Sequence, residues 1–165
     1  MFLRRRSLSV STSGEPNIID CMSLNSTCSE IFSPAHQSNS QMASSILFQS
    51  ALWCPPCKAF TPDLIKFYES LFQYDENALE IIFASSDSDY ESFQMHYEEM
   101  PWAAVPYELT FIKEELGSHF DLVGLPLLVI LSGVDGSVKD IDGRATILAA
   151  KSDIGKALTK WSSAT

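Results

Sequence analysis

Residues 46–58 read Ile46-Leu47-Phe48-Gln49-Ser50-Ala51-Leu52-Trp53-Cys54-Pro55-Pro56-Cys57-Lys58. The apolar run Ile46–Phe48, bounded by Ser45 and Ser50, predicts a buried strand. Two prolines follow Cys54. Proline suits the first turn of a helix, where its missing N–H had no partner to lose. Phe60, Leu64, Phe67 and Leu71 then recur at spacings of 4, 3 and 4, one apolar stripe of a helix over Pro56–Phe72. The Cys-x-x-Cys pair thus stands where a strand hands over to a helix. The unpaired N–H groups and partial positive charge of a helix start favour the thiolate of Cys54 over its thiol. In such motifs the thiol pKa falls from about 8.5 to roughly 3.5–7.5. Cys54 is therefore read as the nucleophile that opens a disulfide, and Cys57, one turn on, as the resolving thiol. Pro55 and Pro56 stiffen the loop between them.

Outward from this junction, Leu79–Ala84 predicts a second buried strand. Asp89 is a candidate N-cap for a helix with Tyr90, Phe93, Tyr97 and Met100 on its apolar face, stopped by Pro101. The segment Pro101–Pro106, with Trp102 and Val105, reads as an ordered loop, and Leu109–His119 as a short helix. Leu127–Leu131 is a continuous apolar run with β-branched members and predicts a central strand. Gly133–Gly136 turns the chain into an antiparallel strand at Ser137–Asp140. Ser152 would cap a last helix ending near Trp161. A helix between the first two strands makes a parallel crossover, and the later hairpin makes the sheet mixed. The expectation is one α/β domain over residues 45–165, a mixed central sheet flanked by helices. Residues 1–44, with 13 Ser and Thr and no periodicity, read as a disordered Ser-rich tail.

Charge and composition exclude several classes. Residues 45–165 hold 8 Lys and Arg against 18 Asp and Glu, which accounts for the whole formal charge of −10. Such a surface repels nucleic acid and anionic membranes, so neither is expected as a partner. No stretch approaches the ~18 apolar residues of a membrane span. No apolar segment follows Arg4–Arg6, so no secretory signal is expected and the compartment reads as cytosolic or nuclear; a mitochondrial transit peptide is the weaker reading. In a reducing compartment a close cysteine pair serves catalysis or metal binding rather than stapling. Zinc wants four ligands, and Cys21, Cys28, His36, His96 and His119 stand in no zinc-like spacing, so no metal is expected. The expected redox group is the Cys54–Cys57 disulfide itself, with no bound cofactor and an external thiol or reductase as electron donor.

The stretch Ser50–Pro62 resembles the active-site segment of the tryparedoxin and nucleoredoxin family, a thioredoxin-like group. The resemblance continues through Glu80–Asp87, the second strand and its acidic turn, and through Phe93 and Glu99–Tyr107, a Met-Pro-Trp loop. Gly124-Leu125-Pro126 stands where the family has Gly-Ile-Pro, and Asp142-Gly143-Arg144 matches a motif near its last strand. The resemblance implies a thioredoxin-like fold with Cys54 and Cys57 as the redox pair. It implies that Trp53 packs beside them, and that Pro126 is a cis-proline opposite the dithiol, with Leu125 offering its backbone to an extended substrate. Trp102 reads equally as part of the substrate face and as a core aromatic. Substrate-facing candidates are thus Trp53, Pro55, Pro56, Trp102, Leu125 and Pro126. The chain departs from the pattern at Phe48, where thioredoxins bury an Asp and this family often has Tyr, and at Gln49, which would need hydrogen-bond partners if buried. The function implied is a monomeric thiol-disulfide oxidoreductase, a protein-disulfide reductase acting on disulfide-containing proteins in cell redox homeostasis. The alternative is a redox-sensitive protein-binding module of the nucleoredoxin kind.

Overall fold

The computed structural model describes residues 44–75, 79–109, 118, 120, 124–134, 136–151 and 153–163. The predicted tail falls outside these residues, as do most of the short helix at Leu109–His119 and the Ser152 cap. Among the described residues, nine elements follow in chain order: β1 (Ser44–Ser50), α1 (Pro55–Tyr74), β2 (Leu79–Ser85), α2 (Tyr90–Tyr97), β3 (Ala103–Ala104), β4 (Leu127–Ser132), β5 (Val138–Asp140), α3 (Gly143–Ala150) and α4 (Ile154–Ser163).

The five strands form one mixed sheet in the order β3-β2-β1-β4-β5. β1 runs parallel to β2, in the register Ile46 to Ile81 and Phe48 to Phe83. It runs antiparallel to β4, with Phe48 opposite Leu128. β2 pairs β3 in parallel, and β4 pairs β5 antiparallel. The continuous apolar strands are explained by burial on both faces. Ile46, Phe48, Ile81, Phe83, Leu128 and Ile130 meet Phe60, Leu64 and Phe67 of α1, Ile147 of α3 and Trp161 of α4 on one face. Leu47, Ile82, Ala84, Val129 and Leu131 pack with Val105 and Phe120 on the other.

Several predicted boundaries shift. α1 starts one residue earlier, at Pro55, and runs to Tyr74. Its interior Pro62 cannot bond the Lys58 carbonyl, but Thr61 donates its hydroxyl to the Cys57 carbonyl at 3.0 Å, so the turn after the dithiol keeps a partner. The Asp89 cap is present: its Oδ1 accepts from the Ser92 amide at 2.7 Å. α2, however, ends at Tyr97 rather than running to Pro101. Tyr90 is exposed, and His96 takes the buried place three residues after Phe93. The Pro101–Pro106 loop carries the two-residue strand β3, docked by the Val105 amide on the Phe83 carbonyl. α3 has no counterpart in the sequence reading. Asp142 starts it, accepting from the Ala145 amide at 3.2 Å, and Gly143 lets it lie close on β4. A Cβ at Gly143 would come within 2.9 Å of both Ile130 Cδ1 and the Leu128 carbonyl oxygen.

Candidate functional site

β1 delivers the chain to the C-terminal edge of the sheet. There the Ser86 amide binds the Ser50 carbonyl, and the Cys54 amide closes a turn on the Ala51 carbonyl. Cys54 is the N-cap of α1. Pro55 and Pro56 occupy the first turn and bring no N–H of their own, so the first helical amide free to point at the sulfur is that of Cys57. It donates to Cys54 Sγ at 3.3 Å. No acidic side chain stands in this first turn to oppose the helix dipole. Cys54 and Cys57 are joined by a disulfide, with Cα atoms 5.2 Å apart. Cys54 is only 3% exposed and Cys57 is fully buried, packed with Ala51 against Leu125.

The peptide between Leu125 and Pro126 is cis, as the resemblance implies, and Leu125 lies against the cysteine pair. Trp53 is 64% exposed and is held by its indole N–H on the Ser86 carbonyl at 3.2 Å. Pro55, Pro56 and Lys58 are exposed beside it, while Pro126 is buried. The structure therefore brings Trp53, Pro55, Pro56, Leu125 and Pro126 together around the dithiol. Trp102 is not among them. It is 1% exposed and wedged between Phe48 and Tyr68, with ring centroids 6.0 and 5.5 Å away. Of its two readings the core one holds, because no surface of the ring is left for a substrate. Phe48 is likewise buried in an aromatic cluster with Phe60, Phe83 and Trp102, and offers no group that could carry a proton. Gln49 finds one of the partners its burial demands: it donates to Ser86 Oγ at 3.0 Å, while its Oε1 has no partner among the described residues.

Four residues absent from the predicted site, Ser50, Ser85, Asp87 and His96, lie beneath the loop. Asp87 is 2% exposed, and its Oδ1 accepts from the Leu52 amide at 2.7 Å, two residues before Cys54. Its Oδ2 accepts from the Ser85 hydroxyl at 2.8 Å and lies 3.3 Å from His96 Nδ1. On the other side of the imidazole, Nε2 is 3.5 Å from Ser50 Oγ. Burial lowers the His96 pKa below its ordinary value, against the hydrogen bond and charge of Asp87 and the charge of Glu99, and Lys58 adds to the lowering. The neutral ring then donates from Nδ1 to Asp87 and accepts from Ser50 at Nε2. In the sequence Asp87 is visible only as part of an acidic turn, and His96 only as a histidine without zinc-like spacing. Its spacing of three from Phe93 was the signal that it points inward. Among the described residues, no group of three or more His, Cys, Asp or Glu side chains converges as a metal site, and no helix is long and apolar enough to cross a membrane.

A family model described as thioredoxin-like matches residues 44–138. Probable nucleoredoxin 1 of Arabidopsis thaliana is 40% identical over 108 residues, 66% of this chain and 18% of that protein. Tryparedoxin of Trypanosoma brucei brucei is 32% identical over 102 residues, 62% of this chain and 69% of that protein. Among solved structures, tryparedoxin II complexed with glutathionylspermidine superposes with a TM-score of 0.61 at 33% identity, covering 65% of this chain and 73% of that one. The matched segment spans only about a fifth of the plant nucleoredoxins it resembles. A strand-to-helix dithiol, a cis-proline against it, a mixed five-stranded sheet and these matches agree, and the chain belongs to the thioredoxin-like family, as a relative of nucleoredoxins and tryparedoxins.

Proposed function

We propose that the chain is a protein-disulfide reductase working through Cys54 and Cys57. The observation that carries this reading is the Cys57 amide aimed at Cys54 Sγ at the start of a 20-residue helix. That arrangement stabilises a thiolate in the reduced protein and a leaving thiolate when the disulfide is opened. In the reduced state the Cys54 thiolate attacks one sulfur of a substrate disulfide. That S–S bond breaks, its other sulfur leaves as a thiolate and takes a proton, and a mixed disulfide links Cys54 to the substrate. Cys57 then gives up its proton, attacks Cys54 Sγ and expels the second substrate thiolate. The substrate gains two electrons and two protons, and the protein ends as the Cys54–Cys57 disulfide seen here. Phe48 takes no part in proton transfer, so the Cys57 proton leaves through water or another group. Trp53 supplies an apolar contact beside the sulfurs, and the Leu125 backbone at the cis-proline supports an extended substrate segment.

An external dithiol or a reductase returns the electrons. The relative bound to glutathionylspermidine supports a small thiol as one such donor. A reducing compartment, cytosol or nucleus, goes with this cycle, as does a monomer that offers the dithiol edge to its partner. The alternative, a binding module that senses redox state, is favoured by the exposed Trp53 next to the disulfide and requires a partner whose affinity changes on reduction. The deciding experiment is insulin reduction with dithiothreitol as donor. The wild-type protein should accelerate it, and Cys54→Ser should lose the acceleration; an unimpaired Cys54→Ser variant rejects the assignment.

A further inference from the structure

We infer that His96 is a positioning residue for the dithiol: through Asp87 it fixes the Leu52 turn that presents Cys54, and its protonation loosens that turn. The inference rests on the proposed function for its meaning, but on geometry for its content. The chain of contacts is continuous. Ser50 Oγ meets His96 Nε2, His96 Nδ1 meets Asp87 Oδ2, and Asp87 Oδ1 holds the Leu52 amide at 2.7 Å. All three side chains are buried, so none can exchange its partner for solvent without the loop moving.

Asp87 sits in the turn after β2, and a neutral His96 directs a single N–H at it, from α2. The imidazole also stands nearly perpendicular to the Phe83 ring, at a centroid distance of 5.1 Å. The charged groups that bear on the ring are Asp87, Glu99 just after α2, and Lys58 on α1. A second proton on the ring makes Nε2 a donor too. The buried Ser50 hydroxyl then loses its acceptor, and a cation stands against Phe83 away from water. The charged ring keeps Asp87, whose hydrogen bond and charge favour it, and relief comes from the pair shifting together toward water, with the Leu52 amide attached to the other oxygen of the same carboxyl. The loop responds because Leu52, Trp53 and Cys54 are consecutive, and the Cys54 sulfur must keep its place over the Cys57 amide.

The prediction is tested on the reduced full chain by two measurements that need no disulfide substrate: the rate of Cys54 alkylation by iodoacetamide, and exchange of the Leu52 amide with solvent. His96→Phe keeps an aromatic ring but has no donor for Asp87. His96→Asn keeps a donor near the Nδ1 position and does not titrate. At pH 7, His96→Phe should be alkylated about fivefold more slowly and should exchange the Leu52 amide about tenfold faster, while His96→Asn stays within about twofold of wild type. His96→Phe at wild-type values in both measurements overturns the inference. So does His96→Asn impaired as much as His96→Phe, since ring packing alone would then explain the loss. Should His96→Phe not fold, the wild-type protein decides the matter. Between pH 7 and 4 the protection of the Leu52 amide, taken relative to that of Ile130, should fall by about tenfold as His96 is protonated. A ratio that stays flat over that range rejects the inference. Because neither measurement involves a disulfide substrate, a failed insulin assay and a failed His96 test are separate results.

Discussion

Two aspartates, one buried and one half-buried, organise different parts of this molecule by different means. Asp87 lies just after β2 and gathers the Leu52 amide, the Ser85 hydroxyl and the His96 imidazole. Asp140 ends β5 and gathers the Thr146 hydroxyl, the Lys160 ammonium at 2.8 Å and the Trp161 indole N–H at 3.0 Å. Each ties three segments to one carboxyl. At Asp140 the partners from α4 are the Lys160 ammonium and the Trp161 indole, and what they fasten is α4 onto the sheet. At Asp87 the main side-chain partner is a histidine kept neutral by burial, and what it fastens is the loop carrying the dithiol. The same device anchors a helix in one place and holds the dithiol loop in the other, and the difference is the buried imidazole that backs Asp87.

Removing the two carboxyls should have unequal consequences. Asp87→Ala leaves the buried Leu52 amide and Ser85 hydroxyl without their acceptor, at a cost of about 3 kcal/mol in urea unfolding, and should lower insulin-reduction activity by about tenfold or more. Asp140→Ala should cost about 2 kcal/mol by the same measure, because Trp161 and Thr146 lose a partner, yet leave activity per folded molecule within about twofold. An equal loss of activity in both variants would erase the distinction.

The pH dependence separates the two ends next. The lowered His96 pKa means that the unfolded chain takes up its proton first, so that the stability is full above about pH 6.5 and falls as pH drops below it. At Asp140 burial alone would raise the pKa, but the hydrogen bonds from Lys160, Thr146, Trp161 and the Asp142 amide outweigh it and the net shift is downward. That contribution is full above about pH 3.9 and is lost as pH falls through the lower folded value. Thermal melts from pH 7 to 3 should therefore show two separate losses, the upper absent in His96→Asn and the lower absent in Asp140→Asn. The smallest effect expected is at the exposed pair Lys66–Asp63, 3.7 Å apart on α1. Lys66→Ala should change stability by less than about 0.5 kcal/mol, which sets the scale for a contact that neither end depends on.

The local features of the dithiol end were legible in the chain itself. Cys54, the two prolines and the 4-3-4 stripe after them are neighbours in sequence, and their physics is that of a single helix start. The strands were legible because burial on both faces writes itself as an unbroken apolar run at Ile46–Phe48, Leu79–Ala84 and Leu127–Leu131. α3 was not, since Gly143-Arg144-Ala145-Thr146 shows no apolar period; its start rests on the Asp142 cap and on the glycine that admits it against β4. The Asp87–His96–Ser50 chain was not legible either. Asp87 and Leu52 are 35 residues apart, and Ser50 and His96 are 46 apart, so only the parallel pairing of β1 with β2 brings them together. Trp102 could be read both ways until the aromatic cluster around Phe48 showed where its ring is held.

The three tryptophans of this chain divide into one at the surface and two in the core. Trp102 and Trp161 are shielded from water, while Trp53 is exposed and immediately precedes Cys54, where the disulfide should quench indole emission more than the dithiol does. The protein thus carries an optical reporter on the dithiol. Iodide, a quencher that cannot enter the core, should silence Trp53 alone, so that the iodide-sensitive part of the fluorescence tracks the redox state of Cys54 and Cys57 in real time, with no label attached.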